Sequence, residues 1–129
     1  PMNLPLDHLV IMARDAAASR AFYGDLLPLL GFRQSRADIW VNDGGLHIQV
    51  LAAEPGTRDY QRRGPGLNHL GFKAPDAGFV AQLRDAMLAT GRNIQPIQDL
   101  DGAAALFMPD PDGLRVEVTW YPPGKSVVD

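Results

Sequence analysis

The sequence contains no cysteine, which excludes disulfide frameworks, thiolate nucleophiles, zinc fingers and iron–sulfur clusters. It also lacks an excess of positive charge, because 12 Lys and Arg residues stand against 15 Asp and Glu residues and give a net charge of −3. This balance argues against binding to a nucleic-acid backbone. No apolar run reaches the length of a membrane span, and the first residues show no secretory signal pattern. We therefore expect no membrane or nucleic-acid partner and a cytoplasmic location.

What the sequence does contain is an internal repeat at an offset of 61 residues. The segment from Leu6 to Ala16 aligns with the segment from Leu67 to Ala77, and six of the eleven positions are identical. The identical pairs are Leu6/Leu67, His8/His69, Leu9/Leu70, Ala13/Ala74, Asp15/Asp76 and Ala16/Ala77. Because the offset is close to half of the 129 residues, we expect two copies of one structural unit within a single compact domain.

Each copy begins with the pattern of a strand, a cap and a helix. The short apolar run, Leu6–Met12 or Leu67–Lys73, is too brief for a typical helix and too continuous for a half-exposed strand. It predicts a strand that is covered on both faces. An aspartate follows as the predicted helix N-cap, Asp15 or Asp76. Apolar residues then recur at every fourth position, which predicts an amphipathic helix. These stripes are Phe22, Leu26 and Leu30 in the first copy and Phe79, Leu83 and Met87 in the second.

The rest of each copy predicts three short strands. Pro28 should end or distort the first helix, and Gly91 suits the C′ position of the second. The predicted strands are Arg33–Ser35, Ile39–Asn42 and Leu46–Ala52 in the first copy and Asn93–Asp99, Ala103–Met108 and Leu114–Tyr121 in the second. The fold class is therefore α+β, with two β-α-β-β-β modules at 1–53 and 67–121, a Pro- and Gly-rich linker at 54–66 and a tail at 122–129.

Side-chain alternation along the predicted strands gives each module a polar set on one face. In the first strand His8 shares a face with Val10 and Met12, whereas Leu9 and Ile11 face the predicted helix. His69 occupies the equivalent position in the second repeat. In the last strand of each module, the residues that share a face are His47, Gln49 and Leu51 in the first and Arg115, Glu117, Thr119 and Tyr121 in the second.

Two sheets that curve together would bring these polar positions around one cavity. His8, His69 and Glu117 then form a two-histidine, one-carboxylate set, and Gln49 adds a neutral oxygen donor. Such a set suits a borderline divalent cation such as Mn²⁺, Fe²⁺, Ni²⁺, Co²⁺ or Zn²⁺. Each residue also has a structural interpretation, since a strand histidine usually makes a hydrogen bond and Glu117 can pair with Arg115. The recurrence of histidine at the same position of the repeat favours the metal site.

Four motifs follow one another along the chain: Asp7-His8-Leu9 at the first strand, Phe22-Tyr23 in the first helix, Asn68-His69-Leu70 at the second repeat, and Asp110-Pro111-Asp112-Gly113 ahead of Glu117. Their order and spacing resemble those of the vicinal oxygen chelate superfamily, the glyoxalase/bleomycin-resistance/dioxygenase proteins. The resemblance extends over nearly the whole chain. The resemblance implies paired βαβββ modules that form a U-shaped, eight-stranded cavity, built from one chain or from modules of two chains, and it implies a homodimer.

The resemblance also implies metal ligands on the first and last strand of each module. Carried over residue by residue, these ligands are His8, Gln49, His69 and Glu117. Gln49 stands where many members carry glutamate, and an amide is a weaker ligand than a carboxylate. His47, two residues earlier on the same face, is the alternative ligand. Gln49 is preferred because its spacing from the preceding glycine pair at 44–45 fits the family better.

The function implied by the resemblance is that of a metal-dependent lyase, isomerase or extradiol-type dioxygenase that chelates two neighbouring oxygens of a small substrate. Glu117, the one carboxylate of the set, is the predicted catalytic base. His47, Arg115 and Tyr121 are predicted to contact the substrate. The alternatives are a metal-free binding protein of the bleomycin-resistance type and a degenerate enzyme with a vacant site. Aromatic residues make up only 8% of the chain and leave few rings for a drug-stacking pocket, which favours the enzyme.

Overall fold

A computed structural model describes residues 2–126 of the chain. Pro1 and residues 127–129, the last three of the predicted tail, lie outside the described residues. The chain divides into two compact units, Pro1–Asp59 and Tyr60–Asp129. The boundary between the units falls inside the predicted linker, and the finer module boundaries stay a prediction.

The two units contain the same elements in the same order, apart from one short turn. The first unit consists of β1 (His8–Ala13), α1 (Ala16–Leu26), a 3-10 turn (Leu27–Leu30), β2 (Phe32–Arg36), β3 (Ile39–Asn42) and β4 (His47–Ala52). The second consists of β5 (His69–Lys73), α2 (Ala77–Leu88), β6 (Gln98–Leu100), β7 (Ala103–Pro109) and β8 (Arg115–Trp120). This order confirms the predicted repeat, and every strand except β6 begins and ends within two residues of its predicted bounds.

Each unit forms one four-stranded sheet. The strand order is β1-β4-β3-β2 in the first unit and β5-β8-β7-β6 in the second. In both, the first and last strands pair in parallel and the other neighbours pair antiparallel. A parallel pair requires a long crossover, which here contains the helix and the two remaining strands. The strands that carry the predicted ligands are therefore hydrogen-bonded neighbours within each unit.

The ends of α1 follow from three residues of the sequence. Asp15 is the N-cap, because its side chain accepts a hydrogen bond from the backbone N–H of Ala18 at 3.0 Å. Pro28 has no N–H to continue the helix, so α1 ends at Leu26 and the chain tightens into the 3-10 turn. Gly31 ends that turn in the left-handed region, at φ +92°.

The N-cap of α2 is confirmed, whereas its C-terminus differs by one residue from the prediction. Asp76 accepts a hydrogen bond from the N–H of Phe79 at 2.7 Å. The C-cap is Ala89, which places Thr90 at C′ and Gly91, at φ +88°, one position farther along. Both the N–H and the hydroxyl of Thr90 donate to the carbonyl of Met87, so the last turn closes before the glycine.

The two faces of each sheet differ in what covers them. In β1, Ile11 and Ala13 are 8% and 0% exposed on the face that packs against α1, whereas Val10 and Met12 are 47% and 51% exposed on the opposite face. The prediction that this strand is covered on both faces is therefore wrong for β1. We call the second face the histidine face. It carries His8, Val10, Met12, His47, Gln49 and Leu51 in the first unit, and His69, Gly71, Lys73, Arg115, Glu117 and Thr119 in the second.

The strand predicted at Asn93–Asp99 is wrong over most of its length, since β6 spans only Gln98–Leu100. Pro96 has no N–H to donate to a strand ladder. The guanidinium of Arg84 on α2 donates to the carbonyls of the two residues before this proline, at 3.0 and 2.9 Å. Those carbonyls therefore find their partners on the helix and need no neighbouring strand.

Candidate metal centre

The strand register places the same pair of positions side by side in both units. In the first unit His8 pairs with His47, and Val10 pairs with Gln49. In the second unit His69 pairs with Arg115, and Gly71 pairs with Glu117. Gln49 and Glu117 therefore occupy equivalent positions, each one strand over and two residues along from a histidine. Each unit thus carries one histidine and one oxygen donor on its histidine face, and we call each such pair a half-site.

His8 is oriented by the residue that precedes it. Its Nδ1 lies 2.7 Å from Oδ2 of Asp7. This hydrogen bond, together with the nearby imidazole of His47, lowers the pKa of Asp7 below its ordinary value. The ionised carboxylate can only accept, so Nδ1–H donates and Nε2 of the neutral ring carries the lone pair. This is the arrangement found around metal-binding histidines, where the other ring nitrogen donates to an oxygen.

His47 stacks on His8, with ring centroids 5.0 Å apart and planes 15° from parallel. Ligand atoms of Asp7, His8 and His47 all lie within 4.8 Å of one another. His47 was among the predicted site residues, whereas Asp7 was not. The sequence did contain a signal for Asp7, because this carboxylate directly precedes a strand histidine. A side chain in that position is close enough to form a hydrogen bond with the imidazole.

Gln49 is half-buried, and its amide has a defined partner. Its Nε2 donates a hydrogen bond of 2.8 Å to Oδ2 of Asp38. This bond lowers the pKa of Asp38, and the guanidinium of Arg36 adds to the effect. Asp38 was not predicted as a site residue, because it lies 11 residues before Gln49 and reaches it only through the pairing of β3 with β4.

The second half-site is built around His69 and Glu117. Nδ1 of His69 lies 2.8 Å from the side-chain oxygen of Asn68, so Nδ1–H donates and the lone pair of the neutral ring is on Nε2. That Nε2 lies 3.3 Å from Oε1 of Glu117. The other carboxylate oxygen of Glu117 accepts a hydrogen bond from the hydroxyl of Thr119. Asn68 and Thr119 thus orient the side chains of this half-site by hydrogen bonds. Asp7 and Asp38 do the same in the first half-site.

The approach of Nε2 to Oε1 brings two lone pairs together. A proton on the imidazole or a cation bound to both atoms is needed to make this contact favourable. Two ligands bound at right angles, each at about 2.1 Å from a metal, are themselves about 3 Å apart. The 3.3 Å separation and the donor types, imidazole nitrogen and carboxylate oxygen, therefore fit a borderline divalent cation.

Of the two predicted substrate-contact residues in the second unit, Arg115 pairs with His69 in the strand register. The guanidinium of Arg115 lies over the ring of Phe107, 5.2 Å from its centroid. Tyr121 is half-buried and lies one residue past the end of β8, so its predicted place within the last strand is wrong. Contact with a substrate, and the sharing of one ion by His8, Gln49, His69 and Glu117, stay predictions.

Comparison with known proteins identifies the family of this chain. Residues 5–118 match the model of the Glyoxalase/Bleomycin resistance protein/Dioxygenase superfamily. The chain belongs to this superfamily. It is 33% identical to the uncharacterized protein YqjT of Bacillus subtilis (strain 168) over 123 residues, which cover 88% of this chain and 96% of YqjT. The resemblance inferred from the motifs and the paired βαβββ fold class are both confirmed.

Solved structures of the superfamily show the same fold. A glyoxalase-like protein from Bacillus halodurans matches with a TM-score of 0.77 and 27% identity, over 90% of this chain and 95% of that one. A glyoxylase/bleomycin resistance protein/dioxygenase domain from Frankia sp. EAN1pec also matches at 0.77, with 22% identity over 96% of both chains. Within residues 2–126, neither helix is long and apolar enough to cross a membrane.

Proposed function

We propose that this chain is a metal-dependent enzyme of its superfamily that binds two neighbouring oxygens of a small substrate. The proposal depends most on the contact between Nε2 of His69 and Oε1 of Glu117 at 3.3 Å. Nδ1 of the same ring is already hydrogen-bonded to Asn68, so Nε2 is the nitrogen that faces Glu117 and that a cation would bind in place of a proton. Imidazole and carboxylate are a donor pair that borderline divalent metals prefer.

The proposed ligands are His8 and Gln49 of the first half-site and His69 and Glu117 of the second, which bind one ion either within one chain or across the two chains of a homodimer. The set contains a single formal negative charge, that of Glu117, so a divalent cation would keep a net positive charge when bound. Such a cation supplies Lewis acidity, which stabilises negative charge that develops on a substrate oxygen. Mn²⁺, Fe²⁺, Ni²⁺, Co²⁺ and Zn²⁺ all accept this donor set.

Glu117 is proposed as the group that accepts a proton from the substrate. Its side chain is only 12% exposed, and the hydroxyl of Thr119 fixes one of its oxygens. A carboxylate fixed in this way is oriented before the substrate arrives, which is what a general base requires. His47 and Arg115 stand at equivalent register positions beside the two histidines, and we propose that they contact an anionic or hydroxylated substrate together with Tyr121.

Metal analysis tests this proposal. Protein purified without chelator and reloaded with each of the five cations should contain about one ion per chain. His8→Ala, His69→Ala and Glu117→Ala should each lose it, whereas Glu54→Ala, which removes an exposed carboxylate outside both half-sites, should retain it. A parent chain that takes up none of the five ions would contradict the proposal and favour a metal-free binding protein of the bleomycin-resistance type.

The reaction class is then separated by substrate. Thiol-conjugated aldehydes test the lyase or isomerase activity, and catechols with dioxygen test the extradiol activity. Either activity should disappear in Glu117→Ala and remain in Glu54→Ala. Light scattering on the same samples gives the mass of the particle, which tests the proposed homodimer and, together with the metal content, gives the number of ions per particle.

A further inference from the structure

We propose that Asp38 is a positioning residue for the metal centre, because its carboxylate binds the amide nitrogen of Gln49 and so presents the amide oxygen as the ligand atom. The inference rests on the proposed function, since it concerns how one of the proposed ligands is oriented. It assigns a role to a side chain that lies outside the ligand set. The observation behind it is the 2.8 Å hydrogen bond from Nε2 of Gln49 to Oδ2 of Asp38.

The backbone places Asp38 beside Gln49. Asp38 directly precedes β3, whose first residue, Ile39, pairs with Gln49 on β4. The carbonyl of Asp38 also accepts a hydrogen bond of 2.9 Å from the N–H of Val50. The Asp38 side chain is 22% exposed, and its other oxygen, Oδ1, lies 4.0 Å from Nε of Arg36. Both carboxylate oxygens thus have a neighbour that favours the ionised form.

The chemistry of an amide explains why such a partner matters. A glutamine side chain has two ends of similar shape, but only its oxygen is a metal ligand, since the NH₂ group is a donor. An ionised carboxylate can only accept hydrogen bonds, so it selects the NH₂ end and leaves Oε1 on the opposite side. The donated hydrogen bond also polarises the amide and increases the negative charge on Oε1. A neutral ligand with a carboxylate behind it is a better ligand than a free amide.

The second unit shows why this need is specific to glutamine. Glu117 occupies the position equivalent to Gln49, and its two oxygens are chemically the same. Either oxygen can bind a cation, so its partner needs only to restrict rotation. The neutral hydroxyl of Thr119 does this by donating to Oε2. An amide at the same position needs a partner that distinguishes nitrogen from oxygen, and Asp38 is such a partner.

The affinity of the whole protein for Ni²⁺, measured by calorimetry, tests the inference. Asp38→Ala should weaken binding about 10- to 100-fold, the range typical of groups that orient metal ligands. Asp38→Asn should lose less, because its amide oxygen still accepts from Gln49. Asp43→Ala is the matched control: it removes the same charge from the next turn of the same sheet, where the side chain is fully exposed and paired with Arg33. This control should stay within about twofold of the parent.

A double-mutant cycle separates orientation from charge. In a Gln49→Ala background, Asp38→Ala should cause no further loss of Ni²⁺ affinity, because no amide remains to be oriented. An equal loss with and without Gln49 would show that Asp38 acts only through its charge and would overturn the inference. Equal losses in Asp38→Ala and Asp38→Asn would overturn it for the same reason.

Nuclear magnetic resonance of the metal-free protein gives a readout that is independent of the ion. The side-chain NH₂ of Gln49 should give shifted, slowly exchanging signals that return to ordinary values in Asp38→Ala and stay unchanged in Asp43→Ala. Ordinary Gln49 signals in the parent would overturn the inference. A parent that binds no Ni²⁺ would contradict the proposed function, whereas Ni²⁺ binding that is lost in His69→Ala but unchanged in Asp38→Ala would contradict this inference alone.

Discussion

The two half-sites use the same positions but place their negative charge differently. In the first unit the proposed ligands, His8 and Gln49, are neutral, and each has a carboxylate behind it, Asp7 and Asp38. In the second unit the carboxylate of Glu117 is itself a proposed ligand, and the supporting groups of His69 and Glu117 are the neutral side chains of Asn68 and Thr119. The two repeats therefore share the same pair of register positions, while the negative charge moves between the proposed ligand and the side chain that supports it.

The largest expected effect comes from removing the charge at the ligand position of the second unit. Glu117→Gln should weaken Ni²⁺ binding by about 100-fold or more, above the 10- to 100-fold cost typical of supporting groups. The reason is that this variant leaves no charged ligand in the set. Gln49→Ala should lose less, because it removes a neutral donor. Calorimetry compares the two, and a larger loss for Gln49→Ala would show that the units do not differ in this way.

A second variant makes the first unit resemble the second. Gln49→Glu should tighten Ni²⁺ binding several-fold, but in the metal-free protein it places two carboxylates side by side and raises the pKa of one of them. Because the raised pKa belongs to the folded state, stability should be lost as the pH rises through that pKa. Thermal unfolding in chelator from pH 4 to 8 measures this. A midpoint that does not fall relative to the parent across this range would contradict the predicted contact with Asp38.

Asp7, the side chain that supports His8, should matter less for Ni²⁺ affinity than the proposed ligands themselves do. Asp7→Asn retains a side-chain oxygen for Nδ1 of His8 and makes the pair like Asn68 and His69. We expect Ni²⁺ affinity to fall by about tenfold or less, the lower end of the range for supporting groups. Asp7→Ala, which removes the oxygen as well, should lose more. Equal affinities for parent, Asp7→Asn and Asp7→Ala would show that this support does not orient the imidazole.

The smallest expected effect is a change in the titration of Asp38 in the metal-free protein. Its pKa lies below the ordinary value of 3.8, chiefly because of the hydrogen bond from Gln49. A lowered pKa in the folded state adds stability that is present above the unfolded pKa and is lost as the pH falls through the folded one. Gln49→Ala should therefore raise this pKa toward 3.8, which carbon-detected resonance titration measures. An unchanged pKa would contradict the assignment of its cause.

Much of the fold could be predicted because the sequence repeats itself. The order of elements and the equivalence of the two first strands were both predicted from two signals. These signals are the recurrence of His8 as His69 and the helix caps at Asp15 and Asp76. These signals are local, since a cap and a strand pattern are each determined within a few residues. The strand prediction is wrong at residues 93–97 because of a contact that is not local. The guanidinium of Arg84 donates hydrogen bonds to carbonyls about ten residues away.

Of the candidate site, only the proposed ligands could be predicted from the sequence. Strand alternation and the repeat predicted His8, His69, Glu117 and Gln49, the resemblance to the family implied the same four residues, and their sharing of one ion stays a prediction. The side chains that support the proposed ligands could not all be predicted in this way. Asp38 reaches Gln49 through the pairing of β3 with β4, and no sequence pattern marks that contact. Thr119, two residues from Glu117 on the same face, was within reach of the same alternation argument.

The most direct test of the account is the number of imidazoles bound to the metal, because the first unit also contains a rival cluster of Asp7, His8 and His47. X-ray absorption spectroscopy on the Zn²⁺-loaded protein counts these ligands. If His8 and His69 bind the same ion, the parent has two imidazoles, His47→Ala still has two, and His69→Ala has one or no bound metal. Two imidazoles that persist in His69→Ala and decrease in His47→Ala would show instead that the rival cluster binds the ion.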